Sequence, residues 1–518
     1  MKAHLLYQDQ DFDFAGDPPA NRQDLVQDLE LSTLFDAMAR GDSYLLDVST
    51  RVTLSSLDVS TEIVYRQHVL ADCLANPEMT RAMYAITVAS FEERRGIFWG
   101  RSSQLPSSIL SGSVSELEMY VGLLKKLRQL ADDHVDRVRS EGLTTLFRDL
   151  RRDLDDDYFD QVERHLKRLR FQGGVLMSSV LGPDNSGINY VLRSPGERKP
   201  GWKERVGLGP RMSYSFTIPP RDEAGSDALA DLTGRGINLV ANAVAQSADH
   251  IQSYFIMLRA EIGFYVSCLN LRDQLIAKSQ PMCFPDLAPA DQFELTMKGL
   301  CDVALVLRAD GRVVGNDVDA GARALVIVTG ANSGGKSTFL RSVGQAQVMA
   351  QCGMFVAAEA FGSSVASSVV THFIREEDST MRSGRLVEEL SRMSGFVDQM
   401  RPHSMVLFNE SFAATNEREG SEIARQVVRA LLDADARVLF VTHQYDFAKG
   451  FYERRTEVPV LFLRAERESN GQRSFKLREG EPLPTSFGED IFRRIFFPDS
   501  AVGSGDVESR SADAAHAG

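Results

Sequence analysis

Gly330-Ala-Asn-Ser-Gly-Gly-Lys-Ser337 follows the β-branched run Leu325-Val-Ile-Val-Thr329 and leads into Thr338-Phe-Leu-Arg. The spacing predicts a strand, a glycine-rich turn and a helix. In that context backbone N–H groups turn inward on phosphate oxygens, and the following helix points its positive end at the same charge. Lys336 then reaches the β- and γ-phosphates and Ser337 ligates Mg²⁺. A chance glycine-rich turn is the alternative, and the agreement of spacing, preceding strand and following helix argues against it.

Two further apolar runs end in residues that suit the same chemistry. Ser404-Met-Val-Leu-Phe408 ends in Asn409-Glu410, where P-loop ATPases usually carry Asp-Glu. The aspartate there holds the Mg²⁺ shell and the glutamate orients or deprotonates the attacking water. Arg437-Val-Leu-Phe-Val441 ends in Thr442-His443. A lone histidine is more often structural, but open α/β sheets gather ligands at the carboxyl ends of their strands. Three such ends, in Gly-Lys-Ser, Asn-Glu and Thr-His, favour a group that senses the γ-phosphate.

The elements that must position these residues occupy a long chain. With 518 residues, 43% of them apolar, several domains with large cores are expected. A net charge of −14, from 58 basic against 72 acidic residues, gives no general affinity for nucleic acid, so any basic surface must be local. Cys73, Cys268, Cys283, Cys301 and Cys352 include no Cys-x-x-Cys, which reads as free thiols in a reducing compartment. The N-terminus lacks a signal-type apolar core and no run is long enough to cross a bilayer, so a cytoplasmic, soluble protein is expected.

Residues 1 to about 20 read as an acidic arm, and Asp24 to about Glu93 as helical. Ile63 to Leu74 places Val64, Val69, Leu70 and Leu74 on one face. Phe91-Glu92-Glu93 has a Phe-x-Glu spacing that can wedge into DNA, yet within a helical pattern core packing reads better. Ser113-Val-Ser-Glu116 reads as a capping box opening a long helix, with Leu117, Tyr120, Leu124, Leu127, Ala131, Val135 and Val138 as its stripe. The acidic cluster from Asp153 to Asp160 lacks the glycine and distal glutamate of a calcium loop and reads as a solvated helix end. Gly173 to Gly182, Ile188 to Arg193 and Tyr214 to Ile218 form a small β excursion. Its connecting loop carries Arg198, Lys199, Lys203 and Arg205 around Trp202, a composition suited either to a nucleic-acid backbone or to a soluble loop. No proline falls between Pro220 and Pro281. A helix from about Ile237 to Lys278 would be a lever of about 60 Å. The tail after about Asp499 is low in complexity and reads as disordered.

Gly330-Ala-Asn-Ser-Gly-Gly-Lys-Ser-Thr-Phe-Leu-Arg resembles the Gly-Pro-Asn-Met-Gly-Gly-Lys-Ser-Thr-Phe-Leu-Arg of the MutS family, and Gly353-Met-Phe-Val-Ala-Ala resembles the segment that follows it there. Asn409 to Gly420 aligns without gaps to the family's Asp-Glu-Ile-Gly-Arg-Gly-Thr-Ser-Thr-x-Asp-Gly, and Phe440-Val-Thr-His443 is similar to its Phe-Ala-Thr-His. Ser383-Gly-Arg-Leu-Val-Glu-Glu matches more loosely the element that the opposite subunit offers to the γ-phosphate. The resemblance is specific over about 316–488 and diffuse before it.

It implies a mixed fold, an all-α core and lever domain over 21–300 with a clamp-like β excursion over about 171–220, then an α/β P-loop (ABC-type) ATPase domain over 301–498 and a tail over 499–518. It also implies ATP and Mg²⁺, nucleotide contacts from Gly330, Asn332, Gly334, Gly335, Lys336, Ser337, Thr338, Ser383 and Gly384, catalytic roles for Glu410 and His443, and metal contacts from Ser337 and Asn409. The basic loop residues Arg198, Lys199, Lys203 and Arg205 then fall where the family's DNA clamp sits. The expected protein is a homodimeric, DNA-binding ATPase of DNA repair or recombination that lacks the mismatch-reading domain. It has little room for a C-terminal dimerisation module. Asn409 stands where the family has aspartate, which predicts slow hydrolysis. A nucleotide-regulated protein scaffold, or a pseudo-ATPase without DNA binding, is the rival. A transport-type ABC subunit would need a Leu-Ser-Gly-Gly-Gln signature, and the one Ser-Gly-Gly, at 333–335, lies inside the P-loop.

Overall fold

The computed structural model of the chain describes residues 2–16, 18–98, 105–193, 215–330, 334–375, 384–397, 400–455, 459–467 and 473–483. They divide into two units, one of Met1–Phe12 with Ala71–Val266 and one of Asp13–Leu70 with Ser267–Gly518.

The first unit is mainly helical. A proline at the first helical position gives up no helical hydrogen bond, and Pro106 opens the helix Pro106–His134 there. The capping box expected at Ser113 is therefore corrected. Ser113 and Glu116 lie mid-helix on the buried face beside Leu117, Tyr120, Leu124, Leu127 and Ala131, with Arg94 3.8 Å from the Glu116 carboxylate. The helix ends at His134, so Val135 falls outside the stripe. Phe91 sits in the helix Pro77–Phe98 under the Arg259 guanidinium, 4.8 Å from its ring centre, which is a packing role. Asp155 caps the helix Asp156–Leu169 through the Tyr158 N–H, and Asp156 pairs with Arg128 at 2.5 Å. Among the described residues no cluster has metal-binding geometry.

Strands β1 (Met177–Leu181) and β2 (Gly187–Leu192) form an antiparallel hairpin. Residues 215–218, expected as a further strand, have no strand structure. Arg198, Lys199, Lys203 and Arg205 lie outside the described residues.

The proline-free stretch is one helix, Glu223–Ala277, of 55 residues. At about 1.5 Å per residue it is about 80 Å long. It starts fourteen residues before the expected Ile237, because the Asp222 carboxylate accepts from the Gly225 N–H at 2.9 Å and supplies a start that three nearby glycines argue against. In the acidic N-terminal segment Ala3, Leu5, Leu6 and Phe12 are buried while residues 8–10 are exposed. Leu5 and Leu6 are fully buried, the Leu5 N–H donates to the Glu261 carboxylate at 2.6 Å, and the Tyr265 hydroxyl donates to the Leu5 carbonyl at 2.5 Å.

In the second unit, β3 (Asp286–Ala288), β4 (Leu295–Leu300), β5 (Asn316–Asp319) and β7 (Ala360–Ser364) form a four-stranded sheet in the order β3-β7-β4-β5. The larger sheet holds β6 (Leu325–Gly330), β8 (Val369–Phe373), β9 (Met405–Asn409), β10 (Arg437–Val441), β11 (Val460–Arg467) and β12 (Arg473–Glu479). Its order is β12-β11-β6-β10-β9-β8, parallel except for the edge strand β12. The central strands are buried along their lengths, as strands covered on both faces must be. Phe408, Phe440 and Phe447 stack in series with ring centres 5.0 and 4.3 Å apart, and Phe451 meets Phe447 edge-on at 5.3 Å. In the helix Ser60–Ala75 the buried face is Ile63, Arg66, Val69 and Leu70, while Val64 is 41% exposed. Val69 and Leu70 of the expected stripe are therefore buried and Leu74 half-buried, while Ile63 takes the place expected for Val64. None of the five cysteines forms a disulfide, and burial pushes the Cys73 and Cys352 thiols up to about 12.

Candidate functional site

Register fixes the site. Val441 of β10 pairs with Val328 of β6 and with Asn409 of β9, so the turns after all three strands leave the same edge of one sheet. The turn after β6 reaches the helix Lys336–Gln351, whose N-cap is Gly335. Gly330 and Gly335 have φ of 109° and 86°, which L side chains rarely adopt. A glycine cap brings no side chain to the first-turn N–H groups, which leaves them for a ligand. Lys336 is buried and its ammonium donates to the Gly330 carbonyl at 3.0 Å. Burial holds its pKa below the ordinary lysine range, the Glu410 carboxylate opposing and Arg473 adding to that shift. Gly334 is buried, Thr338 half-buried and Ser337 exposed. Asn332 lies outside the described residues.

The Ser337 hydroxyl donates to Asn409 Oδ1 at 2.8 Å. Two neighbouring ligands of an octahedral magnesium at about 2.1 Å lie about 3 Å apart. Both oxygens are hard donors of the type that ion takes, so this pair fits it.

One residue on, the Glu410 N–H donates to the Val441 carbonyl at 2.9 Å. Glu410 Oε2 accepts from the His443 N–H at 3.0 Å and from His443 Nδ1 at 2.6 Å. The bond to Glu410 holds the His443 pKa above the ordinary histidine value, against the desolvation that lowers it. Glu410 and Phe412 have φ of 54° and 62°, left-handed conformations adopted without glycine. At 411 and 412 this chain has Ser-Phe where the motif it resembles has Ile-Gly. The structure therefore brings together Gly330, Lys336, Ser337, Asn409, Glu410 and His443. Gly384 is exposed just before the helix Arg385–Val397, and Ser383 lies outside the described residues.

Beside the glycine turn is a cavity of about 440 Å³ between Gly335, Thr338 and Phe339 on one side and Val313, Asn316 and Phe475 on the other. Asn316 donates to the Phe475 carbonyl at 3.2 Å and accepts from the Leu477 N–H at 2.8 Å, holding Phe475 at a φ of 57°. Sequence reasoning missed both residues. Phe475 lies 145 residues beyond Gly330, and its one local signal is an aromatic at the edge of a strand.

Residues 58–278 match the MutS2 N-terminal domain, and residues 326–510 match MutS domain V, a span that begins in β6 and holds the turns after β6, β9 and β10. The chain belongs to the MutS family. It is 24% identical over 338 residues to the DNA mismatch repair protein MutS of Streptococcus pneumoniae (strain Hungary19A-6), covering 61% of this chain and 39% of that protein. The DNA mismatch repair protein HexA of Streptococcus pneumoniae serotype 4 gives the same figures. Against the DNA mismatch repair protein MutS of Porphyromonas gingivalis (strain ATCC BAA-308 / W83) the identity is 31% over 194 residues, covering 36% of this chain and 21% of that protein. The matches thus span well under two thirds of the length of these MutS-family relatives.

Proposed function

We propose that this MutS-family chain is a DNA-binding ATPase that binds Mg·ATP at its P-loop and hydrolyses it slowly. The observation that carries this reading is the convergence of Lys336, the Ser337–Asn409 pair and the Glu410–His443 pair at one carboxyl edge of one sheet. Lys336 and the first-turn N–H groups of its helix hold the phosphates. Glu410 orients the attacking water and takes its proton. His443 sets the position of Glu410, and its exposed ring reports the γ-phosphate. Magnesium, held by Ser337 and Asn409, supplies neutralisation of phosphate charge. The adenine enters the cavity against Phe475.

Under this reading Ser383 and Gly384 of a second copy complete each site, so the active unit is a homodimer. Residues 21–300 then act as core and lever, about 171–220 as a clamp whose Arg198, Lys199, Lys203 and Arg205 hold DNA phosphates, and 301–498 as the motor. DNA repair or recombination is the setting this implies. A protein scaffold without DNA binding is favoured by the net charge of −14. The two readings part in a titration of the full chain against duplex, mismatched, branched and single-stranded DNA, with and without ATP. DNA binding that responds to ATP, and whose salt slope flattens when the four basic residues are reversed, is expected, each lost phosphate contact removing about 0.9 from the slope. No binding to any of the four DNAs overturns the DNA reading and leaves the scaffold.

A further inference from the structure

Glu410 sits in a loop that cannot hold its own shape. Two of its residues, Glu410 and Phe412, are in the left-handed region without being glycine, a backbone that L side chains disfavour. Such strain persists only where the surroundings over-determine it, and here the restraint comes from two other elements. Glu389, 5% exposed on the helix Arg385–Val397, accepts the Phe412 N–H on its carboxylate at 2.7 Å. His372 of β8 is fully buried, with Nε2 3.1 Å from the Glu389 carbonyl and Nδ1 2.8 Å from the Ser411 hydroxyl. Its ring stacks on Phe412, centres 5.6 Å apart and planes 18° from parallel. The Ser411 hydroxyl is also 2.6 Å from the His372 carbonyl. Burial pulls the His372 pKa down to about 4, so the ring is neutral. A neutral imidazole has one N–H, and the carbonyl of Glu389 can only accept. Nε2 therefore donates to the Glu389 carbonyl, which leaves Nδ1 an acceptor, and the single Ser411 proton is shared between Nδ1 and the His372 carbonyl.

We propose that Glu389 and His372 are positioning residues that fasten the helix Arg385–Val397 to the loop carrying Glu410, so that the place of this helix sets the place of the base. Among the described side chains of this helix, Val387, Leu390 and Val397 are exposed, while Glu389 and Met393 are buried. A shift of the helix is passed through the Glu389 carboxylate to Phe412 and, two residues earlier, to Glu410. The turn after β6 reaches the same strand end by a different contact, the Ser337–Asn409 bond. The tether itself acts on the loop that carries the base, so its loss is expected in turnover rather than in nucleotide affinity. The inference rests on Glu410 being the base of the ATPase reading above.

The test compares Glu389→Ala with Glu389→Gln, which keeps an acceptor oxygen for the Phe412 N–H, and with His372→Phe, which keeps the ring stack and loses the bonds of both ring nitrogens. Loss of a buried acceptor strands a donor. Glu389→Ala should lower kcat about tenfold or more with KM for ATP within about twofold, and Glu389→Gln should recover kcat to within about threefold of the parent. His372→Phe should fall between them. Hydrogen exchange gives a readout independent of turnover. The peptide containing Phe412 should exchange faster in Glu389→Ala and as in the parent in Glu389→Gln, with the peptide over β6 unchanged in both. Equal behaviour of Ala and Gln at 389, a loss expressed in KM, or unaltered exchange at Phe412 overturns the proposal. So does failure of both Glu389→Ala and His372→Phe to fold, which would make the cluster structural. If the parent itself does not turn over ATP, the ATPase reading fails, and the exchange comparison still decides whether the tether exists.

Discussion

The turns after β6 and β9 leave the same edge of one sheet and meet the same demand for left-handed backbone in opposite ways. Among the described residues of the turn after β6 the left-handed ones are Gly330 and Gly335, which take that backbone at no steric cost. After β9 they are Glu410 and Phe412, and the turn stands because Glu389, His372 and Gln444, which donates to the Phe412 carbonyl at 3.1 Å, hold it from outside. One turn is preorganised and the other is conditional. In the proposed function the first binds the phosphates and the second carries out the hydrolysis, so binding is constitutive and turnover depends on the surrounding elements.

The largest effect expected from breaking the preorganised side comes from Lys336→Ala. It removes the buried ammonium at the start of the helix, and affinity for a fluorescent ATP analogue should fall about a hundredfold. Unchanged affinity would remove the phosphates from this turn. Gly335→Ala is gentler and more specific. The nearest atom to a Cβ there is 3.7 Å away on Phe475, so the cost is backbone strain of about 1–2 kcal/mol. That corresponds to about tenfold in ATP affinity, seen in the same titration, with kcat at saturation nearly unchanged. A fall in kcat with affinity intact would show that the two turns are not separable.

On the conditional side the expected changes are smaller. Asn409→Asp adds a full charge beside Ser337 where the amide oxygen offers a dipole. The Mg²⁺ concentration for half-maximal turnover should drop, and kcat should rise about fivefold. A loss of turnover would mean that the asparagine is required rather than tolerated. The pH profile is the finest probe. His443 has its pKa raised by its bond to Glu410. It therefore stays cationic to a higher pH than an ordinary histidine and restrains the carboxylate in a charge-assisted bond. As pH rises through that raised value the restraint is released, and kcat should climb about threefold with an inflection above about 6.5. His443→Asn should flatten the profile. An unaltered inflection would assign it to another group.

The same contrast governs what was legible in the sequence. The glycine turn, Ser337, Asn409-Glu410 and Thr442-His443 could be read because each is a short spacing at the end of an apolar run, and parallel register then sets those ends abreast. The supports of the β9 turn could not. Glu389 and Phe412 are separated by 23 positions and His372 and Ser411 by 39, and only folded geometry joins a helix carboxylate to a loop amide. The burial of Leu5 against Glu261 is hidden for the same reason, at a separation of 256. Other differences are local. Ser113 and Glu116 have the spacing of a cap, but Pro106, also visible, is the stronger start because it surrenders no helical bond. Glycines at 225, 234 and 236 argue against a helix by propensity, and the helix Glu223–Ala277 runs through them because tertiary packing outweighs a propensity of about 1 kcal/mol each.

The central claim, that a nucleotide held by the first turn is hydrolysed by the second, is tested most directly at Glu410. Steady-state ATP turnover and equilibrium ATP affinity should be measured side by side for the parent and for Glu410→Gln, which keeps size and loses the base. The account predicts slow but definite turnover in the parent, a fall of about a hundredfold or more in the variant, and ATP affinity within about twofold of the parent. A parent without turnover above background, together with a variant that behaves identically, would contradict it and leave a nucleotide-binding pseudoenzyme.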